Sequence, residues 1–188
     1  MEKEKRKKKG KIIKEIVLPD GVSTIMDDSL LTIKGPKGEV KRKLAQRKVS
    51  IKIQNEKIIL ESKSQKKEDK KAIGSLSAHI KNMIKGSLQN HIYTLKICSG
   101  HFPMNITVSG NKFSVKNFLG EKVPRVLQLK EGANVKIEGD LVYVTSANKE
   151  IAGQVSADIE QLTRRPGYDT RIFQDGIYVT SKDGKILK

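Results

Sequence analysis

Cys98-Ser99-Gly100-His101 sets a thiol and an imidazole two residues apart, the arrangement of a thiolate–imidazole pair or of two metal ligands. No other Cys or His lies near enough in the sequence to complete a zinc set, so Cys98 is expected to be a small buried thiol beside a strand end. His79 falls beside an apolar helical stripe and reads as a boundary residue. Gly35-Pro36-Lys37-Gly38 lacks both the Gly-Lys-Ser/Thr ending and the following helix of a phosphate-binding loop. Asp27-Asp28 runs into hydrophobic strand residues and reads as a solvated turn. No acid/base or nucleophile constellation emerges, so an RNA-directed enzyme is disfavoured, and no metal or cofactor is expected.

Anion binding is better supported. The chain has seven arginines, and three of them, Arg164, Arg165 and Arg171, flank Tyr168 within eight residues. A guanidinium fork suits bidentate phosphate contact, and tyrosine can stack on a base. Helix C-terminal cations complementing the macrodipole would account for Arg164 and Arg165 but not Arg171. A second basic group is Lys34 and Lys37 with Lys41, Arg42 and Lys43, although strand alternation splits the last three between faces. A third is Lys112, Lys116 and Lys122. With four Phe, four Tyr and no Trp, the chain lacks an aromatic stacking platform. The expected ligand is therefore folded, double-helical RNA read by shape and phosphate. No helix-turn-helix or zinc-finger pattern argues for DNA.

The overall balance agrees. Among 188 residues, 38 Lys+Arg face 21 Asp+Glu, a formal charge of +17. Self-repulsion of that size disfavours the compact state and points to a polyanionic partner. Residues 1–94 hold +13 of it and residues 95–188 hold +4. Met1–Lys14 contributes +6 without apolar periodicity, the pattern of a disordered basic arm. No stretch reaches the roughly 18–20 apolar residues of a membrane span. The basic start is not followed by the apolar region of a secretory signal. A single cysteine fits a reducing, cytoplasmic setting.

These groups need elements to hold them. Ile16 to Val22 reads as a short strand ending in a Pro-Asp-Gly turn. Leu30 to Lys34 and Glu39 to Leu44 flank Gly35-Pro36-Lys37-Gly38 as a hairpin. Val49, Ile51 and Ile53 alternate, turn at Gln54-Asn55-Glu56, and return as Ile58-Ile59-Leu60, giving an antiparallel meander. Between Lys66 and Lys85 the period changes: Ile73, Leu76, Ile80 and Met83/Ile84 form a helical stripe. Ser64 is the candidate N-cap and Gly86 the candidate C′ residue. Lys66, Lys67, Lys70, Lys71, Lys81 and Lys85 occupy the opposite, solvent-facing side.

The second half repeats this plan. Val115 to Glu121 aligns with Ile33 to Glu39, and Gly153-x-x-Ser156-Ala157-x-Ile159 matches Gly74-x-x-Ser77-Ala78-x-Ile80. Ile151, Val155, Ile159 and Leu162 make the second helical stripe. The reading is a tandem duplication: an α+β chain of two domains, each a small, mainly antiparallel sheet covered by one helix. The expected divisions are a basic tail at 1–10, a first domain at 11–88 and a second at 89–188. The Arg-rich loop follows the second helix. Ile172 to Thr180 then reads as a hairpin turning at Asp175-Gly176, and Lys182 to Lys188 as a frayed end.

Leu18-Pro19-Asp20-Gly21-Val22, with Leu31-Thr32-Ile33-Lys34-Gly35-Pro36-Lys37-Gly38, resembles the N-terminal signature of the large-subunit ribosomal protein L six family. Asn82-Met83-Ile84-Lys85-Gly86 resembles the end of its first helix. Ser99 to Met104 and Arg171 to Tyr178 resemble its archaeal and eukaryotic branch; the lysine- and glycine-rich bacterial loop is absent here. The likeness covers about residues 11–181. It implies two similar α+β domains, no catalysis, no small-molecule substrate and no membrane. It also implies binding to large-subunit rRNA near the base of the lateral stalk and the translation-factor site, among neighbouring ribosomal proteins, on the cytoplasmic ribosome. The main rRNA contact would fall to the second domain, where Arg164–Arg171 concentrates donors, while much lysine of the first lies on the open helix face. A free-standing RNA-binding or assembly factor is the alternative.

Overall fold

The computed structural model describes residues 11–44, 49–54, 57–62, 64, 66–169 and 171–187. The arm expected at residues 1–10 and the Asn55-Glu56 turn lie outside them. Contacts divide the chain into two units between Leu88 and Gln89.

The first unit runs β1 (Ile12–Val17), β2 (Ser23–Asp27), β3 (Leu30–Gly35), β4 (Gly38–Lys43), β5 (Val49–Gln54) and β6 (Lys57–Ser62) before helix α1 (Lys67–Leu88). The strands pair antiparallel as two three-stranded sheets, β1-β6-β5 and β2-β3-β4. Ile16 stands opposite Ile58, and Ile33 opposite Val40, so one face of each sheet is apolar and buried. The stripe Ile73, Leu76, Ile80, Met83 and Ile84 of α1 is buried against both.

The second unit has β7 (His91–Cys98), β8 (Asn105–Ser109), β9 (Lys112–Lys116), a 3-10 turn (Phe118–Gly120), β10 (Arg125–Gln128), β11 (Asn134–Glu138), β12 (Leu141–Ser146), α2 (Lys149–Leu162), β13 (Gly176–Lys182) and β14 (Lys185–Ile186). Its sheets run β10-β9-β8 and β11-β12-β7-β13-β14. The plan is the first unit's: β7-β12-β11 repeats β1-β6-β5, β8-β9-β10 repeats β2-β3-β4, and a helix follows. The duplication extends to single atoms. Ser62 Oγ accepts the Ser64 amide and Ser146 Oγ accepts the Asn148 amide. Ser64 and Asn148 in turn accept the amide two residues on. For Asn148 this is the N-cap bond of α2, whereas Lys66 still precedes α1, so Ser64 stands just before the helix and is not its N-cap. What alternation marks as one sheet per domain is two sheets under one helix. In the second unit β13 also covers the far side of β7, the edge that β1 leaves unpaired among the described residues.

Three local expectations are corrected. Gly86 does not end α1; it is buried inside the helix, which runs on to Leu88. The β3–β4 turn supplies the stop, because the Lys37 amide donates to the Ser87 carbonyl at 3.0 Å, satisfying an acceptor that a helix end leaves orphaned. A Cβ on Gly35 would lie 2.6 Å from that same carbonyl oxygen, so close approach demands glycine there. Asp175-Gly176 is no hairpin turn. The buried Asp175 carboxylate accepts the amides of Gly100 and His101, while the Ile172 and Phe173 amides fold back onto the Asp169 carbonyl.

The hairpin sits one strand later, at Asp183-Gly184, with φ of 53° and 80°, the left-handed pair of a type I′ turn. The expected frayed end is therefore tied down. Asp183 meets the Nδ1 of fully buried His91 at 2.6 Å and accepts the Ile92 amide at 3.2 Å. Cys98 ends β7 as expected but is only half-buried. No helix among the described residues is long and apolar enough to cross a membrane.

Candidate nucleic-acid interface

The Arg-rich loop is pinned at both ends. At its start, buried Thr163 accepts the Ile177 amide at 2.9 Å and donates to the Glu160 carbonyl, and the Glu160 carboxylate accepts the Val179 amide at 3.1 Å. The C-terminus of α2 is thereby stitched to β13. At its far end, Asp175 holds Gly100 and His101.

Between these anchors the side chains stack in series. The Arg165 guanidinium lies 4.3 Å from the Tyr168 ring centroid. Tyr168 meets Phe173 edge-on at 5.0 Å, and Phe173 lies 5.3 Å from the His101 ring. His101 Nδ1 contacts Asp175 at 3.0 Å, so it is taken up by a carboxylate and not by Cys98. Among the described residues no cluster of His, Cys, Asp or Glu could hold a metal ion.

Arg125 completes the support, and no sequence signal marks it beyond a Glu four residues earlier. It forms a bidentate pair with Glu121 at 2.7 and 2.6 Å. Its Nη1 donates to the Leu162 carbonyl at 2.7 Å and the Arg164 carbonyl at 3.3 Å. Its plane lies 4.4 Å from the Phe118 centroid. One guanidinium thus ties the 3-10 turn, the end of α2 and the first loop residue together. Arg165 reaches the same Glu121 at 3.9 Å. Hydrogen bonding from Arg125 above all, with the nearby charges of Arg125 and Arg165, lowers the Glu121 pKa against the opposing effect of burial.

The expected contact residues differ in how much of their charge is free. Arg171 is mostly exposed but closes a fork on Asp169 at 3.1 and 2.8 Å. The pair lowers the Asp169 pKa and raises that of Arg171. Arg164, Lys112, Lys116 and Lys122 are exposed and have no ion pair among the described residues. Lys112 and Lys116 end β9 on the face opposite buried Phe113 and Val115, and Lys122 follows Glu121.

Lys34 and Lys37 fall in the other unit. Lys34 pairs with Glu39 at 3.4 Å, as does Lys41 at 3.0 Å, while Lys37 stays exposed at the turn. Alternation does split the next run: Arg42 reaches His79 at 3.4 Å, and Lys41 and Lys43 face solvent. The loop, the last turn of α2 and Phe118 enclose a cleft of about 940 Å³. It is lined by forked cations and aromatic faces, groups that hold phosphate and stack on bases.

Fold and loop together define a duplicated, two-unit α+β protein whose second unit carries the Arg-rich loop. A family model described as Ribosomal protein L6 matches residues 18–89 and 102–176. The large ribosomal subunit protein uL6 of Methanococcus vannielii is 45% identical over 176 residues, covering 94% of this chain and 97% of the relative. Its counterpart from Methanobrevibacter smithii is 42% identical over 172 residues, covering 92% and 97%. That from Methanothrix thermoacetophila is 38% identical over 171 residues, covering 91% and 97%. The chain belongs to the ribosomal protein L6 family, a structural and non-enzymatic component of the ribosome.

Proposed function

We propose that this chain is a structural constituent of the large ribosomal subunit that binds large-subunit rRNA, chiefly through its second unit. The stacked Arg165–Tyr168–Phe173 series beside exposed Arg164 carries this reading. It holds one forked donor, Arg165, and an aromatic ring ready before RNA arrives, which lowers the ordering cost of binding. Lys112, Lys116 and Lys122 would add phosphate contacts from β9 and the turn after it, and Lys34 and Lys37 would add them from the first unit. Folded RNA suits the arrangement better than a single strand, because the loop offers one aromatic cluster and not a row of platforms. The family resemblance suggests a position near the stalk base and translation-factor site, against neighbouring ribosomal proteins.

Replacing Arg164 and Arg165 by Ala should weaken binding to a large-subunit rRNA fragment. It should also reduce the slope of log K against log salt by about 1 to 2, since each phosphate contact contributes somewhat less than one. Adding Arg171→Ala should cost less, because Asp169 already neutralises that side chain. An unchanged slope contradicts the loop's role. A ribosomal constituent stays with the large subunit through a high-salt wash, whereas an assembly factor is shed.

A further inference from the structure

Helix α1 runs 22 residues against 14 in α2, and its face away from the sheets has an unusual make-up. Lys67, Lys70, Lys71, Lys81 and Lys85 recur there at helical spacing, with exposed Gly74 and Ala78 between the two groups. From Lys71 to Lys81 is about 15 Å along the axis. Lys67, Lys70, Lys71 and Lys81 have no ion pair among the described residues. Several lysines in and beside the sheets of the same unit share carboxylates: Lys11 and Lys52 pair with Glu61, Lys34 and Lys41 with Glu39, and Lys57 with Glu15, while Lys14 and Lys43 have no ion pair among the described residues. The helix face therefore carries the densest group of unpaired lysines in the unit, beginning in a first turn that also holds Glu68 and Asp69.

Gly74 sharpens the point. A glycine inside a helix lowers its stability. A Cβ on its duplicate Gly153 would rest in ordinary van der Waals contact with Tyr93, 3.6 Å from the hydroxyl oxygen. A Cβ on Gly74 would meet nothing within 4 Å. Among the described residues the missing side chain serves no packing, but it lets another backbone come close. The β3–β4 turn brings Lys37 to the C-terminal end of the same helix through its bond to Ser87.

We propose that this face of α1 is a second RNA-binding surface, separate from the Arg164–Arg171 loop, that takes the sugar–phosphate backbone of double-helical RNA. The strand would approach most closely over Gly74 and Ala78, with lysines gripping phosphates on either side. The proposal relies on the RNA-binding reading for its class of ligand. The face lacks the aromatic, Met or Arg anchors of a protein interface, whose cores are depleted in lysine.

The test uses the full chain and a 20-base-pair RNA duplex of mixed sequence. Gly74→Leu with Ala78→Leu changes no charge; it replaces a poor helix former at 74 and costs little at 78, where Leu ranks just below Ala. This variant should keep its far-ultraviolet helix signal and bind the duplex at least fivefold more weakly. Replacing Lys67, Lys70, Lys71 and Lys81 by Gln should lower the salt slope by about 3. A charge-matched control at Lys96, Lys136, Lys182 and Lys185 should lower it by less than 1. Duplex binding by the leucine variant equal to that of the unaltered chain overturns the proposal, as does a lysine variant that behaves like the control. Loss of binding to polyglutamate but not to RNA overturns it in favour of an acidic protein partner. The Arg164→Ala, Arg165→Ala variant is measured in parallel. If it loses affinity while the α1 variants do not, this proposal fails and the loop stands; the reverse result upholds α1 and removes the loop.

Discussion

Glu121 is the acid on which the cationic loop depends, since Arg125 and Arg165 both reach it. Its lowered pKa means that the folded state favours the ionised form. The resulting stabilisation is complete above the ordinary carboxylate pKa and is lost as pH falls through the lower folded value. Glu121→Gln should therefore cost about 1 kcal/mol near pH 7, the upper range for a partly exposed bidentate pair. The deficit should shrink as pH falls below the ordinary carboxylate range, and urea midpoints from pH 7 downward check it. Arg125→Ala should lower RNA affinity without touching RNA, by freeing the Arg164 carbonyl and the end of α2. Its signature is reduced affinity with an unchanged salt slope. At this scale the sequence was informative about the clustered groups and silent about the lone ones. Three arginines around Tyr168 announce themselves by density. Arg125 does not, because its partners at Leu162 and Arg164 are 37 and 39 residues away.

The elements follow from periodicity wherever burial is one-sided. Both helices declare themselves through stripes of three and four, β3, β4 and β5 through alternation, and β6 and β12 as short apolar runs. β2 and β10 escape because Ser23-Thr24-Ile25-Met26-Asp27 and Arg125-Val126-Leu127-Gln128 are short and weakly patterned. They become strands by pairing with β3 and β9. The sequence misplaces the end of α1 for a related reason: a glycine near a helix end usually marks its stop, but here a turn distant in sequence provides it. Gly35→Ala tests that account. The added methyl would strike the Ser87 backbone, which cannot rotate aside, so the first unit should lose about 1–3 kcal/mol. A thermal scan in which the first unit melts earlier while the second is unmoved is the expected outcome.

Across the whole chain, one α+β plan is used twice and then specialised. The repeated strand orders and the matching serine contacts before both helices identify the common frame. The second copy gains β13, β14 and the loop they anchor, and the first keeps a longer, lysine-rich helix. Net charge indicates a polyanion but not which surface meets it, because Glu15, Glu39, Glu61, Glu121 and Asp169 cancel cations in ways only the fold reveals. The most direct test of the central claim is arginine modification by phenylglyoxal, with the sites mapped by mass spectrometry, on the free chain and on assembled large subunits. Arg164 and Arg165 should react in the free chain and be protected at least tenfold in the particle. Equal reactivity in both states would mean that the loop faces solvent and that rRNA is held elsewhere.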